Sequence, residues 1–166
     1  MMTLIRLGGL AAVLAGILRL LSSILPTTSP RIMALYLVIN ILLIISSIGL
    51  FEFQHLEAGI PGKLALLLQV LGALVLIGRD LAILSDAFYP IGALTFAVGL
   101  DLFAITSWKA KTLPRWVLFL LILSTVIGPI GFFSPSLSIL FVASGIAFGI
   151  GFASAGAAIC FLRHHR

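Results

Sequence analysis

The sequence predicts an all-α fold, a polytopic transmembrane bundle of six helices with both termini in the cytoplasm. Of its 166 residues, 61% are hydrophobic and 9% are charged, whereas soluble domains average about 45–50% apolar and about 25% charged residues. Apolar stretches of about 20 residues, the length that crosses a hydrocarbon core of about 30 Å, occur six times. This composition excludes a soluble nucleotide-binding enzyme, a secreted disulfide scaffold and a disordered chain.

Turn-forming residues separate the apolar stretches in order along the chain. Pro26 and Pro30 follow the first span, residues 58–62 end the second loop, Pro114 opens the fifth span and residues 134–136 precede the sixth. Proline lacks an N–H and is tolerated in the first turn of a helix. We therefore predict one transmembrane domain over residues 1–166, with spans at about 4–25, 32–53, 64–84, 88–107, 114–133 and 137–162.

The distribution of basic residues predicts the orientation of the bundle. Six spans place both termini on one side, and the excess of lysine and arginine there assigns that side to the cytoplasm. The basic residues on that side are Arg6, Lys63, Lys109, Lys111, Arg115, Arg163 and Arg166, against Arg19, Arg31 and Arg79 on the other. The net charge of +5 is then a topological signal, and we expect no nucleic-acid partner.

Small residues recur at intervals of four in the first and last spans. They are Gly8, Ala12 and Gly16 in the first span, and Gly145, Gly149 and Ala153 in the sixth. Helices associate in lipid through close packing of such residues. The pattern predicts helix contacts within the chain, with the sixth span in the crowded centre of the bundle. The alternative is an interface with a second copy or with another subunit.

Four charged residues fall near the outer ends of spans, where an unpaired charge is costly. Arg19 lies late in the first span, Arg79 and Asp80 lie late in the third, and Asp86 follows Arg79 by seven residues. We expect an ion-pair cluster in which Arg19 bonds to Asp80 or Asp86. The cluster is either a structural link between helices or a polar vestibule for a solute or ion.

Asp101 lies in the inner half of the fourth span, away from any basic residue. Gln69 in the third span is at a comparable depth, and we expect a hydrogen bond between the two side chains. Asp101 is then a neutral carboxyl that donates a hydrogen bond; the alternative is a carboxylate that binds a proton or a cation. Asn40 in the second span is expected to hydrogen-bond between helices.

The chain contains no recognisable catalytic set. His55, His164 and His165 lie outside the spans, and no phosphate-binding loop is present. We expect no enzymatic activity, no cofactor and no metal. The first functional hypothesis is a non-catalytic subunit that stabilises or assembles a membrane complex or homo-oligomer. The alternative is a small transporter or channel for an ion or small solute, which uses Asp101 and the cluster of Arg19, Arg79, Asp80 and Asp86.

Two short motifs carry a resemblance. Residues 111–116 read Lys-Thr-Leu-Pro-Arg-Trp and precede an apolar span, and residues 6–12 read Arg-Leu-Gly-Gly-Leu-Ala-Ala. The chain thereby resembles uncharacterised small multi-pass bacterial inner-membrane proteins with a basic loop and Leu-Pro-Arg-Trp before a hydrophobic helix. The resemblance implies an inner-membrane location and no activity, with Arg115 and Trp116 as topological anchors.

Overall fold

The structure, a computed structural model, describes the backbone of residues 2–25 and 30–161, and their side chains except at positions 2, 30, 31, 55 and 56. Arg163, His164, His165 and Arg166 lie outside the described residues, as does Pro26. The described backbone is helical almost throughout and contains no strand, which confirms the predicted all-α fold. The helices are α1 (Met2–Ile24), α2 (Pro30–Asp80), α3 (Tyr89–Ala110), α4 (Arg115–Phe133) and α5 (Ser138–Phe161), with short 3₁₀ turns at Asp86–Phe88 and Pro135–Leu137.

Six helical segments of the described chain are long and apolar enough to cross a membrane, as predicted. They are Thr3–Ile24, Ile32–Gln54, Glu57–Asp80, Asp86–Ala110, Arg115–Phe133 and Pro135–Phe161. Many of their leucine, isoleucine and phenylalanine side chains are exposed on the outside of the bundle. Apolar side chains on that surface are stable against lipid and not against water. The chain is therefore a membrane-embedded, multi-pass protein.

The second connection differs from the prediction, because α2 contains two spans separated by a single non-helical residue. Gly59 has φ 54° and ψ −149°, a conformation that glycine adopts without a Cβ clash. Pro61 then lies in the first turn of the resumed helix, where its missing N–H breaks no helical bond. The predicted loop up to residue 63, and a third span beginning at 64, are wrong.

The third span also ends earlier than the predicted residue 84. Residues 81–84 form a turn, in which the backbone N–H groups of Ile83 and Leu84 both donate to the carbonyl of Gly78. Ala82 in this turn has φ 57°. The turn sends the chain back toward the bundle, where Asp86 begins the fourth span.

The spans form a closed ring in which neighbours run antiparallel. Helix α1 packs on the first half of α2, the second half of α2 packs on α3, α3 contacts α4, and α4 packs on α5. Helix α5 then packs on α1 and closes the ring. The expectation that the sixth span lies in the centre of the bundle is wrong, because α5 takes its main contacts from α1 on one side and α4 on the other.

Three of the six predicted small residues, Gly16, Gly149 and Ala153, pack against each other within the chain. A Cβ added to Gly16 would lie 2.5 Å from the carbonyl oxygen of Gly149 and 2.6 Å from the backbone nitrogen of Ala153. Such a position leaves room for hydrogen alone, so α1 and α5 approach backbone to backbone. Gly8 differs, because it meets Gly49 of α2 instead of α5. The sequence pattern contained no indication of the Gly49 contact.

The two ends of the bundle differ in packing. We call the end that carries Gly59 and the connection 111–114 the packed end; the fully buried side chains Ile5, Leu50, Leu118, Leu121, Phe152 and Ile159 lie in that half. We call the opposite end, which carries the connections 81–88 and 134–137, the open end. A cavity lies in the open half of the bundle, next to buried apolar residues such as Ile39 and Phe96.

Candidate functional site

The cavity at the open end has a volume of about 520 Å³, within the range of about 300–1,000 Å³ that is usual for ligand pockets. Every span contributes to its wall, for example through Arg19, Tyr36, Leu76, Phe96, Thr125 and Phe148. Asp86 lies at its mouth with a side chain that is 86% exposed, so the cavity reaches the surface. Toward the packed end it stops above the fully buried Leu121 and Phe152.

An ion-pair cluster forms part of the cavity wall. Arg79 binds two carboxylates, with Nη1 3.0 Å from Oδ1 of Asp80 and Nε 2.8 Å from Oδ1 of Asp86. Asn40 donates from Nδ2 to the other oxygen of Asp80 over 2.8 Å, which links the two halves of α2. The structure thus brings together Arg79, Asp80 and Asp86, with Asn40 as the expected interhelical donor.

Asp86 reaches this cluster by a different route from the one expected. The spacing of seven residues predicted that Asp86 lies on the same helix face as Arg79. Helix α2 instead ends at Asp80, and Asp86 begins the next 3₁₀ turn. The reversal at residues 81–85 returns its carboxylate to Arg79.

Arg19 lines the cavity but does not form the predicted ion pair with Asp80 or Asp86. Its guanidinium carbon instead lies 5.4 Å from the ring centroid of Tyr36, a cation–π distance. Both oxygens of Asp80 are already occupied by Arg79 and Asn40. The pairing expected from the sequence is therefore wrong, because Arg79 takes both carboxylates.

The two tyrosines of the chain support the two arginines in the same way. Tyr89 lies beneath Arg79, with 5.5 Å between the guanidinium carbon and the ring centroid, as Tyr36 lies beneath Arg19. Both tyrosines line the cavity. The tyrosines were not predicted as site residues. The sequence did indicate them, because its only two tyrosines fall near the same membrane depth as the arginines.

Asp101 lies behind the cavity wall and is half-buried. Its Oδ1 is 2.6 Å from the hydroxyl of Thr125 on α4, and that hydroxyl is also 2.7 Å from the carbonyl of Ile122. Thr125 lines the cavity and Asp101 does not. The predicted hydrogen bond between Asp101 and Gln69 is wrong. Gln69 accepts a hydrogen bond from Ser47 over 2.8 Å and donates one to the carbonyl of Gly99 over 3.2 Å.

The described residues contain no cluster of three or more histidine, cysteine, aspartate or glutamate side chains that would hold a metal ion. The cavity offers a different chemistry: guanidinium and carboxylate groups near the mouth, hydroxyl groups at several depths, and phenylalanine side chains on the walls. Comparison with known protein families, curated proteins and solved structures finds no match for this chain. Fold and site together define its class as a six-span helical membrane protein with an internal cavity open at one end.

Proposed function

We propose that this protein is a small transporter that binds a solute in the cavity at the open end and carries it across the membrane. The observation that carries this proposal is the cavity itself, to which all six spans contribute side chains. A bundle that serves only as a scaffold gains nothing from an unfilled interior space of this size, since voids cost packing energy. The charged side chains at the mouth offer the solute polar contacts as it leaves water.

The alternative of an assembly subunit loses part of its support. That hypothesis drew on the small-residue stripes of the first and sixth spans as surfaces for another chain. In the structure Gly16 and Gly149 face each other across the α1–α5 contact. The stripe is thus covered within one chain. Isolation from a mild detergent followed by native mass spectrometry separates the two functions, because an assembly subunit requires a stably bound partner chain.

We further propose that both termini are cytoplasmic and that the protein resides in a bacterial inner membrane. Lys63, Lys109, Lys111 and Arg115 lie at or near the packed end, and this basic excess supports that orientation. The open end then faces away from the cytoplasm. Single cysteines at Lys111 and Ser136, in a chain whose Cys160 is replaced by alanine, test this. Membrane-impermeant maleimide is expected to label position 136 from outside and position 111 only after lysis.

Cysteine accessibility at the cavity floor tests transport. Ser124 lines the cavity and is 4% exposed, so Ser124→Cys in the Cys160→Ala background reports water that enters the cavity. A transporter exposes its binding site to each side in turn. Small impermeant thiol reagents are therefore expected to modify position 124 from either side of a proteoliposome.

The matched control is Val98→Cys on the outer face of α3, where the side chain is 52% exposed to the lipid side. This position is expected to resist the same reagents from both sides. Modification of position 124 from the open end alone would contradict transport and leave a one-sided binding protein. Protection of position 124 from both sides would contradict a water-accessible cavity.

A further inference from the structure

The charge balance of the cavity leaves one arginine without a carboxylate. Asp80 and Asp86 both pair with Arg79. All five acidic residues of the chain belong to the described part, and within it Arg19 forms no ion pair. Among the side chains that the structure describes, two positive and two negative ones line the cavity, and both carboxylates contact Arg79. The lining is therefore neutral overall, but Arg19 faces the cavity without a carboxylate in contact with it.

The surroundings of Arg19 hold its guanidinium in place without using its hydrogen-bond donors. The guanidinium carbon lies over the ring of Tyr36 at a cation–π distance, and this contact uses none of the five N–H donors of the group. Within the described residues none of these donors has an acceptor. On the α5 side, Nε lies 3.7 Å from the position of a Cβ on Gly145, an ordinary van der Waals distance.

Most of the remaining cavity wall is apolar or aromatic, with hydroxyl groups of Ser124, Thr125 and Ser144 as part of it. Phe96, Phe132, Phe141 and Phe148 contribute to its walls, and Phe96 and Phe148 contact each other with ring centroids 6.2 Å apart. Leu43 and Leu100 complete its deeper part. A ligand that fills this space needs an apolar body, and its polar group must lie where Arg19 is.

We propose that the ligand of this cavity is a free organic monoanion with one carboxylate or phosphate-type head group, bound to Arg19, and an apolar body among the phenylalanines. The proposal rests on the transport function and names its substrate class. An organic cation fits less well, because both carboxylates of the wall are already paired with Arg79 and Arg19 repels a cation. The volume of about 520 Å³ is within the range of about 300–1,000 Å³ that is usual for ligand pockets, which suits a single-chain molecule.

Photocrosslinking of a medium-chain fatty acid tests this proposal. The probe is dodecanoic acid with a diazirine on its chain, added to the full protein in nanodiscs of phosphatidylcholine. Crosslinked peptides are expected from the cavity walls around Phe96 and Phe148. Excess dodecanoate is expected to abolish this labelling, whereas equal concentrations of 1-dodecanol and dodecyltrimethylammonium leave it unchanged, because neither carries a negative charge.

Variants of the arginines separate binding at Arg19 from general attraction to basic residues. We expect Arg19→Gln to weaken competition by dodecanoate about tenfold or more, as for loss of a charge-assisted hydrogen bond. Arg19→Lys keeps part of the affinity. Arg6→Gln is the matched control, because Arg6 is on the same helix near the packed end. If Arg19→Gln fails to fold, Ala97→Phe tests the same site by filling the cavity, and it is expected to abolish the cavity crosslinks.

The outcomes distinguish this inference from the transport proposal. Crosslinks confined to the outer, lipid-facing surface, or unaffected by Arg19→Gln and Ala97→Phe, overturn the organic-anion site even if Ser124→Cys reacts from both sides. Competition by phosphatidylglycerol in the nanodisc assigns the site to lipid head groups and also overturns it. Cavity crosslinks that depend on Arg19, in a protein whose position 124 reacts from one side only, support the anion site and contradict transport.

Discussion

The guanidinium of Arg19 on α1 lies over the ring of Tyr36 on α2, and the same relation holds between Arg79 and Tyr89. The two pairs differ in one respect. Arg79 also binds Asp80 and Asp86, whereas Arg19 has no carboxylate among the described residues. The cavity therefore contains one arginine that links helices and one that is available to a ligand.

The two carboxylates on Arg79 are predicted to differ in their effect on stability. The side chain of Asp80 is 3% exposed and that of Asp86 is 86% exposed. We expect Asp80→Ala to lower the free energy of unfolding by roughly 2 kcal/mol or more, because it breaks a buried pair and leaves Asn40 unpartnered. Asp86→Ala is expected to cost about 1 kcal/mol or less, as for a surface ion pair. Unfolding by sodium dodecyl sulfate in mixed micelles, followed by circular dichroism, measures both; equal losses would contradict this assignment.

The α1–α5 contact is predicted to tolerate no side chain at Gly16. A Cβ there meets backbone atoms of Gly149 and Ala153, which cannot move without separating the helices. We expect Gly16→Val to lower the free energy of unfolding by about 1–3 kcal/mol, the usual cost of overpacking. Ala34→Val, at an exposed position of α2, is the control for β-branching and should change stability little. A Gly16→Val protein as stable as the control would show that α1 and α5 are not in close contact.

Asp101 is predicted to be protonated. The hydroxyl of Thr125 has one proton, yet it lies within hydrogen-bond distance of both Asp101 and the carbonyl of Ile122. Both contacts are satisfied when Thr125 donates to the carbonyl and the carboxylic acid of Asp101 donates to Thr125. Infrared spectroscopy is then expected to show a carboxylic-acid C=O band that disappears in Asp101→Asn and shifts in Thr125→Val. A spectrum at neutral pH without that band would contradict a protonated Asp101.

The number and the approximate positions of the spans follow from the sequence, because a bilayer requires long apolar helices and this chain supplies six. The connection at Gly59 could not be predicted from the sequence. The Ala-Gly-Ile-Pro-Gly stretch suggested a longer loop, whereas a single residue with positive φ forms the connection. The hydrogen-bond and ion-pair partners of the polar residues could not be predicted from the sequence either. Arg19, Gln69 and Asp101 were placed at the right depth, but depth does not specify which helix face meets which neighbour.

The cavity could not be predicted from the sequence either. Its lining residues, such as Phe96, Phe148 and Thr125, come from all six spans. No local sequence pattern distinguishes them. The small-residue stripes were visible, because close approach of helices needs a repeated small side chain on one face. An unfilled space has no comparable repeat, and it becomes apparent only when the helices are assembled.

The most direct test of a water-accessible cavity inside the membrane is electron paramagnetic resonance of nitroxides at two positions of α3. Position 93 lines the cavity and position 98 faces outward. With Ala93→Cys and Val98→Cys labelled in lipid nanodiscs, we expect a water-soluble nickel complex to relax the label at 93 more strongly than the label at 98, and oxygen to do the reverse. Equal, oxygen-dominated relaxation at both positions would show that lipid or packed protein fills this space, and would contradict a water-accessible cavity.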